Sequence, residues 1–316
     1  MTKKLTALLL SSIALTLPAQ QVMPPWSGGA NDPALDKGFV FQVPDVDNVP
    51  DLHGDPIGAK LVLFIGGNQF FVLPRLVAGF EKLHPELAGH IFYETLPPGV
   101  LLQQIDSNDT VTLGNLTLHI VPDVYEAGAN ALDAMVTSHK VERSINYVTN
   151  DLEIMVPAGN PLRIASLADL ARPGLRVALP NPAFEGIGKQ VQAALSKAGG
   201  DSLATEIYKT RVSSGENVLT QIHHRQTPIR IMNKQSDAGV VWTSEVVFQK
   251  KIGNPIDGVV IPTEQNTPAT YAAGVMSNAP HREAALAWLA YLQSPEAQAA
   301  YHEFGFKSIA AKTGHE

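Results

Sequence analysis

The stretch from Asp151 to Leu195, DLEIMVPAGNPLRIASLADLARPGLRVALPNPAFEGIGKQVQAAL, restricts the fold more than any other part of the chain. Leu152 to Val156 is an apolar run of strand length, stopped by Pro157-Ala158-Gly159-Asn160-Pro161. A short run bounded by such turn residues reads as a buried strand. Ser166 stands three residues before Asp169, a capping-box spacing that opens a short helix. Leu175 to Leu179 is a second buried strand, and its exit, Pro180 to Gly188, runs directly into the helix-forming residues Lys189 to Leu195. A loop at the carboxyl end of a strand that opens a helix presents backbone N–H groups, and ligands of open α/β sheets gather there.

The same alternation runs through the rest of the chain. Leu61 to Ile65 is a continuous apolar strand, Gly66-Gly67-Asn68-Gln69 the turn after it, and Phe70 to Leu83 an apolar-periodic helix with Pro74 in its first turn. His90 to Tyr93 and Leu116 to Ile120 read as further strands, the first leading through Thr95–Gly99 into a helix at Val100–Ile105. Asp237 to Val241 is another strand, with Thr243-Ser244-Glu245 starting a helix. Two closing helices are expected at Arg282–Leu292 and Pro295–Phe304, the second capped by Ser294 with Pro295 at its first position. Strand–helix alternation predicts an α/β protein with largely parallel sheets.

Residues 1–19 read as a secretory signal: Lys3 and Lys4, the apolar run Leu5–Leu17, then Pro18-Ala19. The chain has no cysteine, which excludes a cysteine-linked lipid, disulfides and thiolate metal sites. Residues 20–58 form a Pro/Asp-rich N-terminal arm. Asp45, Asp47, Asp51 and Asp55 crowd around His53 there, but match no calcium-loop spacing and read as a solvated arm. A formal charge of −7 argues against nucleic acid and anionic membranes as partners.

Taken in order, VPAGNP after a strand, SLADL, LRVAL-NP, the pair Gly186 and Gly188, then Asp237–Glu245, Ser294-Pro295-Glu296-Ala297-Gln298 and Phe304-Gly305-Phe306 resemble the periplasmic solute-binding proteins of ABC importers, in their molybdate-type branch. The resemblance runs from about Lys60 to about Ser308. It implies a two-lobed type II periplasmic-binding-protein-like fold, with two mixed, mostly parallel sheets flanked by helices. Lobe 1 would be 59–149 plus 266–316 and lobe 2 150–265, joined by two hinge crossings near Thr149-Asn150 and Asn266-Thr267. It further implies a periplasmic monomer without cofactor or catalytic residues, which binds a small anion and docks on an ABC permease in the inner membrane.

Four loops carry the candidate ligand contacts. Gly67, Asn68 and Gln69 occupy a turn where the resembled family places a serine hydroxyl, an ordinary tight turn being the alternative. Glu94 and Thr95 follow the next strand. Glu185 and Gly186 start the helix whose amides would face an anion. Asn217 and Val218 occupy the family's acidic-then-valine contact, with His223 and His224 downstream, and Thr243 and Ser244 open a further helix. Adjacent histidines cannot both point into one pocket. His223, His224 and Arg225, together with Lys189, are the cationic groups available to offset Glu94, Asp123, Glu185 and Glu245. Asp123 in Pro122-Asp123-Val124 reads as a structural turn, and Trp242 and Tyr271 as core or hinge packing. The first ligand expectation is a tetrahedral oxyanion such as molybdate or tungstate. The alternative is a transition-metal cation or complex held by Glu94, Glu185, His223 and His224. An enzyme on the same scaffold is the third reading, without support from a G-x-S-x-G, H-E-x-x-H or G-x-x-x-x-G-K-[ST] motif.

Overall fold

The computed structural model describes residues 50–112, 116–183, 185–221, 223 and 225–309, with the backbone alone of 39–42 and 113. The expected signal, much of the 20–58 arm, and His224 lie outside the described residues. In chain order the strands are β1 (Phe39–Gln42), β2 (Pro50–Gly54), β3 (Leu61–Ile65), β4 (Ile91–Glu94), β5 (Thr110–Leu113), β6 (Leu116–His119), β7 (Val124–Gly128), β8 (Val141–Asn150), β9 (Leu152–Pro157), β10 (Val177–Leu179), β11 (Val218–Leu219), β12 (Ala238–Trp242), β13 (Ile256–Val260), β14 (Ala269–Met276) and β15 (Lys307–Ser308). The first sheet has the order β1-β2-β4-β3-β7-β14-β8-β15, the second β11-β10-β12-β9-β13, and β5 and β6 form a separate hairpin.

Both sheets are mixed and flanked by helices. Parallel pairing is narrower than strand–helix alternation implies: it joins β3 to β4 and β7, and β10 to β11 and β12. The neighbouring pairs β7–β14, β14–β8, β12–β9 and β13–β9 are antiparallel. Leu116–His119, read as a sheet strand, belongs to the hairpin instead, and the strand beside β3 is β7.

Strand β3 shows why a continuous apolar run is needed. Its alternate residues Leu61, Leu63 and Ile65 enter one core and Val62 and Phe64 the core on the opposite face. The first core is closed by helix α1 (Leu73–Leu83) and by the helices Arg282–Leu292 and Pro295–Glu303, the second by α2 (Pro98–Asp106) and α3 (Ala129–Thr137). In α1, Pro74 sits in the first turn, where its missing N–H leaves no helical bond unmade. The second sheet packs Leu152, Ile154 and Val156 of β9 against α4 (Gly186–Thr205) through Val191, Ala194 and Leu195.

The arm is not solvated over residues 50–53. β2 pairs antiparallel with β4, Leu52 opposite Glu94 and His53 opposite Tyr93, and both Asp51 and His53 are buried. Polar residues at buried positions hide the strand from a hydrophobicity reading. Asp123, by contrast, is the structural turn expected of it: its carboxylate accepts from Val62 N–H at 2.8 Å and His281 N–H at 2.6 Å.

The chain passes between the sheets twice, from β8 to β9 and from β13 to β14. Asn266 ties these passages together, its Oδ1 accepting from Leu152 N–H at 3.0 Å and its Nδ2 donating to Leu152 O at 2.8 Å. Asn150 Nδ2 donates to Ser244 Oγ at 2.8 Å at the same place.

Candidate functional site

A cavity of about 650 Å³ lies between the two sheets. The turn Gly66–Asn68 after β3 borders it, with Pro97 and Pro98 at the start of α2, and Gly128–Ala131 where β7 gives way to α3. From the second sheet come Glu185–Ile187, Lys189 and Gln190 at the start of α4, His223, and Trp242 at the end of β12. Pro268–Tyr271 complete the wall. The elements are helix starts because the parallel strands β3, β7 and β10 all end here, and each hands the chain to a helical turn.

These starts have a common chemistry. The first-turn amides of a helix lack intrahelical acceptors, and a capping side chain usually takes one of them. At α2, α3 and α4 no side chain does, the N-cap residues being Pro97, Gly128 and Glu185. Prolines at 97 and 98 reduce the donors at α2, so α3 and α4 carry the larger share. The positive ends of both helix dipoles and uncapped donors thus converge on one space, which favours an anion there.

The structure separates the sequence candidates. Gly67, Asn68, Glu185, Gly186 and His223 border the cavity. Asn68 is buried, and its Nδ2 donates to Tyr271 Oη at 2.5 Å. Glu185 is buried against its own loop, Oε1 accepting from Thr220 Oγ1 at 2.5 Å and Asn181 N–H at 3.1 Å. His223 receives Arg225 Nε–H on Nδ1 at 3.1 Å, so its Nε2 is the donor toward Thr95 O at 3.3 Å.

Other candidates are drawn elsewhere. Gln69 turns into the first core, where Tyr301 Oη donates to its Oε1 at 2.8 Å. Thr95 Oγ1 donates to Asp51 Oδ1 at 3.1 Å. Asn217 precedes β11 and so lies at the amino end of that strand, away from the cavity. Its Oδ1 accepts from Val177 N–H at 3.1 Å and its Nδ2 donates to Ile207 O at 3.0 Å, while Val218 is taken into β11. Thr243 and Ser244 sit at the passage between sheets, Thr243 N–H bonding Asp151 O. Arg225 pairs with Asp51, a partnership nothing in the spacing announces. Trp242 and Tyr271, read as packing, form an edge-on pair at the cavity wall, with ring centroids 6.0 Å apart.

Glu94 is fully buried and does not border the cavity. Burial pushes its carboxyl up to about 8, against a smaller opposing effect of Gln104, so it is mostly neutral at pH 7. Glu126 behaves alike, pushed up to about 7 by burial although Trp288 Nε1–H donates to it at 2.7 Å. The unfolded Glu94 releases its proton near 4.5 whereas the folded group holds it to about 8, so every rise in pH through that window favours the unfolded chain. Glu94→Gln removes this penalty. It is expected to gain stability over the wild type by on the order of 4 kcal/mol more at pH 8 than well below pH 4.5. Urea unfolding across this pH range checks it, and a pH-independent difference would refute it.

Residues 61–307, well over half of the chain, match the family model described as bacterial extracellular solute-binding protein. The chain belongs to that family. Among curated relatives of this solute-binding family, a molybdate-binding protein of Mycobacterium tuberculosis is 25% identical over 181 residues, 57% of this chain and 63% of its own length. The chain spans 57% and 63% of the lengths of the first curated relatives it matches. Two solved structures share the solute-binding fold. The sulfate-binding protein SubI from Mycobacterium tuberculosis superposes with a TM-score of 0.65 at 16% identity, covering 79% of this chain and 86% of that one. The periplasmic molybdate-binding protein of Azotobacter vinelandii gives 0.63 at 14%, covering 80% and 100%. At these identities the likeness establishes the type II periplasmic-binding-protein architecture.

Proposed function

We propose that this protein is the substrate-binding component of an ABC importer, which captures one small oxyanion-bearing ligand in the cavity between its sheets. It works in the periplasm as a monomer and presents the closed, loaded form to a permease in the inner membrane. The observation that carries this reading is the convergence of the uncapped starts of α3 and α4 on one space. Such starts offer directed N–H donors to an anion, and Lys189 adds a positive charge on the same wall. The names of the relatives point to the same ligand class, molybdate and sulfate among them. Lobe 1, 59–149 plus 266–316, and lobe 2, 150–265, close over the ligand by rotation at the two passages held side by side by Asn266. The arm strand β2 goes with lobe 1, as its pairing with β4 requires.

The metal alternative needs Glu94 and Glu185 at one centre. Glu94 instead lies in the core beside Gln104, and among the described residues no three His, Asp or Glu side chains are placed to hold a metal ion. Titration calorimetry against molybdate, sulfate, phosphate and organic oxyanions, with Zn²⁺ and Ni²⁺ alongside, tests the reading. One anion per chain with a Kd in the micromolar range or below is expected. Stoichiometric metal binding with no anion bound would promote the metal receptor.

A further inference from the structure

We propose that Glu126 is a proton-linked positioning residue for the ligand: with its carboxyl protonated it braces the turn Gly66–Asn68 at the cavity wall, and on ionisation it lets that brace go. This rests on the oxyanion-receptor reading above. Glu126 lies one layer behind the cavity. Its backbone O accepts from Gly66 N–H at 3.0 Å, and it stands two residues before Gly128, so about 7 Å along β7 from the start of α3. Its side chain is fully buried among Tyr147, Trp288 and Gln69. A carboxyl there is costly to ionise and adds nothing to packing that glutamine would not.

Tyr147 Oη lies 2.8 Å from Glu126 Oε2 and 3.1 Å from Gln69 Oε1, two acceptors for a single phenolic hydrogen. The protonation of Glu126 decides which of them receives it. An ionised carboxylate, the stronger acceptor, takes the hydrogen and leaves Gln69 Oε1 to Tyr301 Oη alone, at 2.8 Å. A protonated carboxyl donates its own O–H to Tyr147 Oη and releases the phenolic hydrogen to Gln69. Gln69 is then held by two phenols, and it is contiguous with Gly67 and Asn68, so the turn is anchored more firmly from behind. Trp288 Nε1–H stays on Oε1 at 2.7 Å in both states. Charge acts in the same direction, because a carboxylate behind the start of α3 opposes the positive end of that helix and the anion it faces.

The surroundings leave both states within reach. Tyr147 from β8 and Tyr301 from the helix Pro295–Glu303 are the titratable groups around the carboxyl, and burial pushes both phenols up, so they keep their protons at neutral pH. Trp288 and Gln69 are its uncharged polar neighbours, and its partners on β3 and β14 are Ile65 and Ala273. Among the described residues no Lys, Arg or His bonds to it. Burial, opposed by the three donors, leaves the group at about 7, where both forms are populated. An anion in the cavity favours the protonated form, so binding takes up a proton, and affinity falls as pH rises through about 7.

Titration calorimetry of the wild-type protein with sulfate and molybdate, whose own charge is constant around neutral pH, tests this. Affinity is expected to fall about five- to tenfold from about pH 6 to about pH 8, with uptake of about half a proton per anion near pH 7, read from buffers of different ionisation enthalpy. Glu126→Gln keeps the size of the side chain and replaces the acid O–H by an amide N–H. It should hold the low-pH affinity across the range and take up no proton. Tyr147→Phe removes a donor from the carboxylate, so the midpoint of the pH dependence should move up. Binding by the wild type without proton uptake overturns the inference and leaves the oxyanion receptor standing. Uptake that persists in Glu126→Gln overturns it too, since His223 on the cavity wall would then be the source. Failure of both anions to bind at any pH removes both readings.

Discussion

Methionine in place of Arg225 is expected to weaken ligand binding by about 100- to 1,000-fold. Arg225 projects from the second sheet's loop into the first sheet's arm strand, where its guanidinium contacts the Asp51 carboxylate with both side chains buried. It also lies 4.8 Å over the Phe70 ring and donates to Thr95 O at 3.3 Å. Burial pushes the Asp51 carboxyl up, and Arg225 pulls it back, so once the two sheets take these groups out of water each needs the other as its partner. Breaking a buried pair by removing one partner costs about 3–5 kcal/mol, because the survivor is left uncompensated. On the closure account that cost falls on the closed, ligand-bearing form, and each 1.4 kcal/mol is tenfold in affinity. The double variant Arg225→Met with Asp51→Leu should recover most of the loss, since no charge is then buried. Calorimetry on the three proteins measures this. A single variant within threefold of the wild type would show that Asp51 and Arg225 do not set the closed state.

Gly67→Ala should be comparably severe, for a steric reason. A Cβ at Gly67 would lie 2.2 Å from His223 Nε2 and 2.4 Å from Thr95 O, well inside any real carbon contact. Thr95 follows β4 of the same sheet as Gly67, so its backbone oxygen strains the turn whether or not the sheets close. The His223 ring is brought by the other sheet and is fixed by Arg225. The methyl group therefore acts as a wedge against closure, and affinity is expected to fall by more than tenfold. Gly67→Ala with His223→Ala removes the ring the wedge meets and should regain part of the affinity. A fold defect at Gly67 alone would not be relieved that way.

How far this was legible from sequence depends on what each residue's signal was. β3, β9 and β10 were plain because strands buried on both faces read as unbroken apolar runs. Local hydrogen bonding was plain too: Ser166 closes its capping box with Asp169, and Ser294 Oγ accepts from Ala297 N–H. β2 was invisible because Asp51 and His53 are polar, and a buried charge leaves no mark in sequence unless its partner, here 174 residues away, is known. Gln69 and Asn68 show the same limit at closer range. Adjacent amides of like chemistry point one into a tyrosine network and one to the cavity, and only the turn's geometry decides which. Trp242 and Tyr271 pack as their composition implies, each buried in one of the two cores, and only the fold shows that they also reach the cavity wall.

The central claim is that the chain captures its ligand by closing two sheets over it, and small-angle X-ray scattering on stripped and anion-saturated protein tests this most directly. The account predicts that the radius of gyration of the wild type falls on saturation with the tightest anion from the titrations, while Gly67→Ala at the same occupancy stays near the stripped value. An unchanged radius in the fully occupied wild type would contradict it.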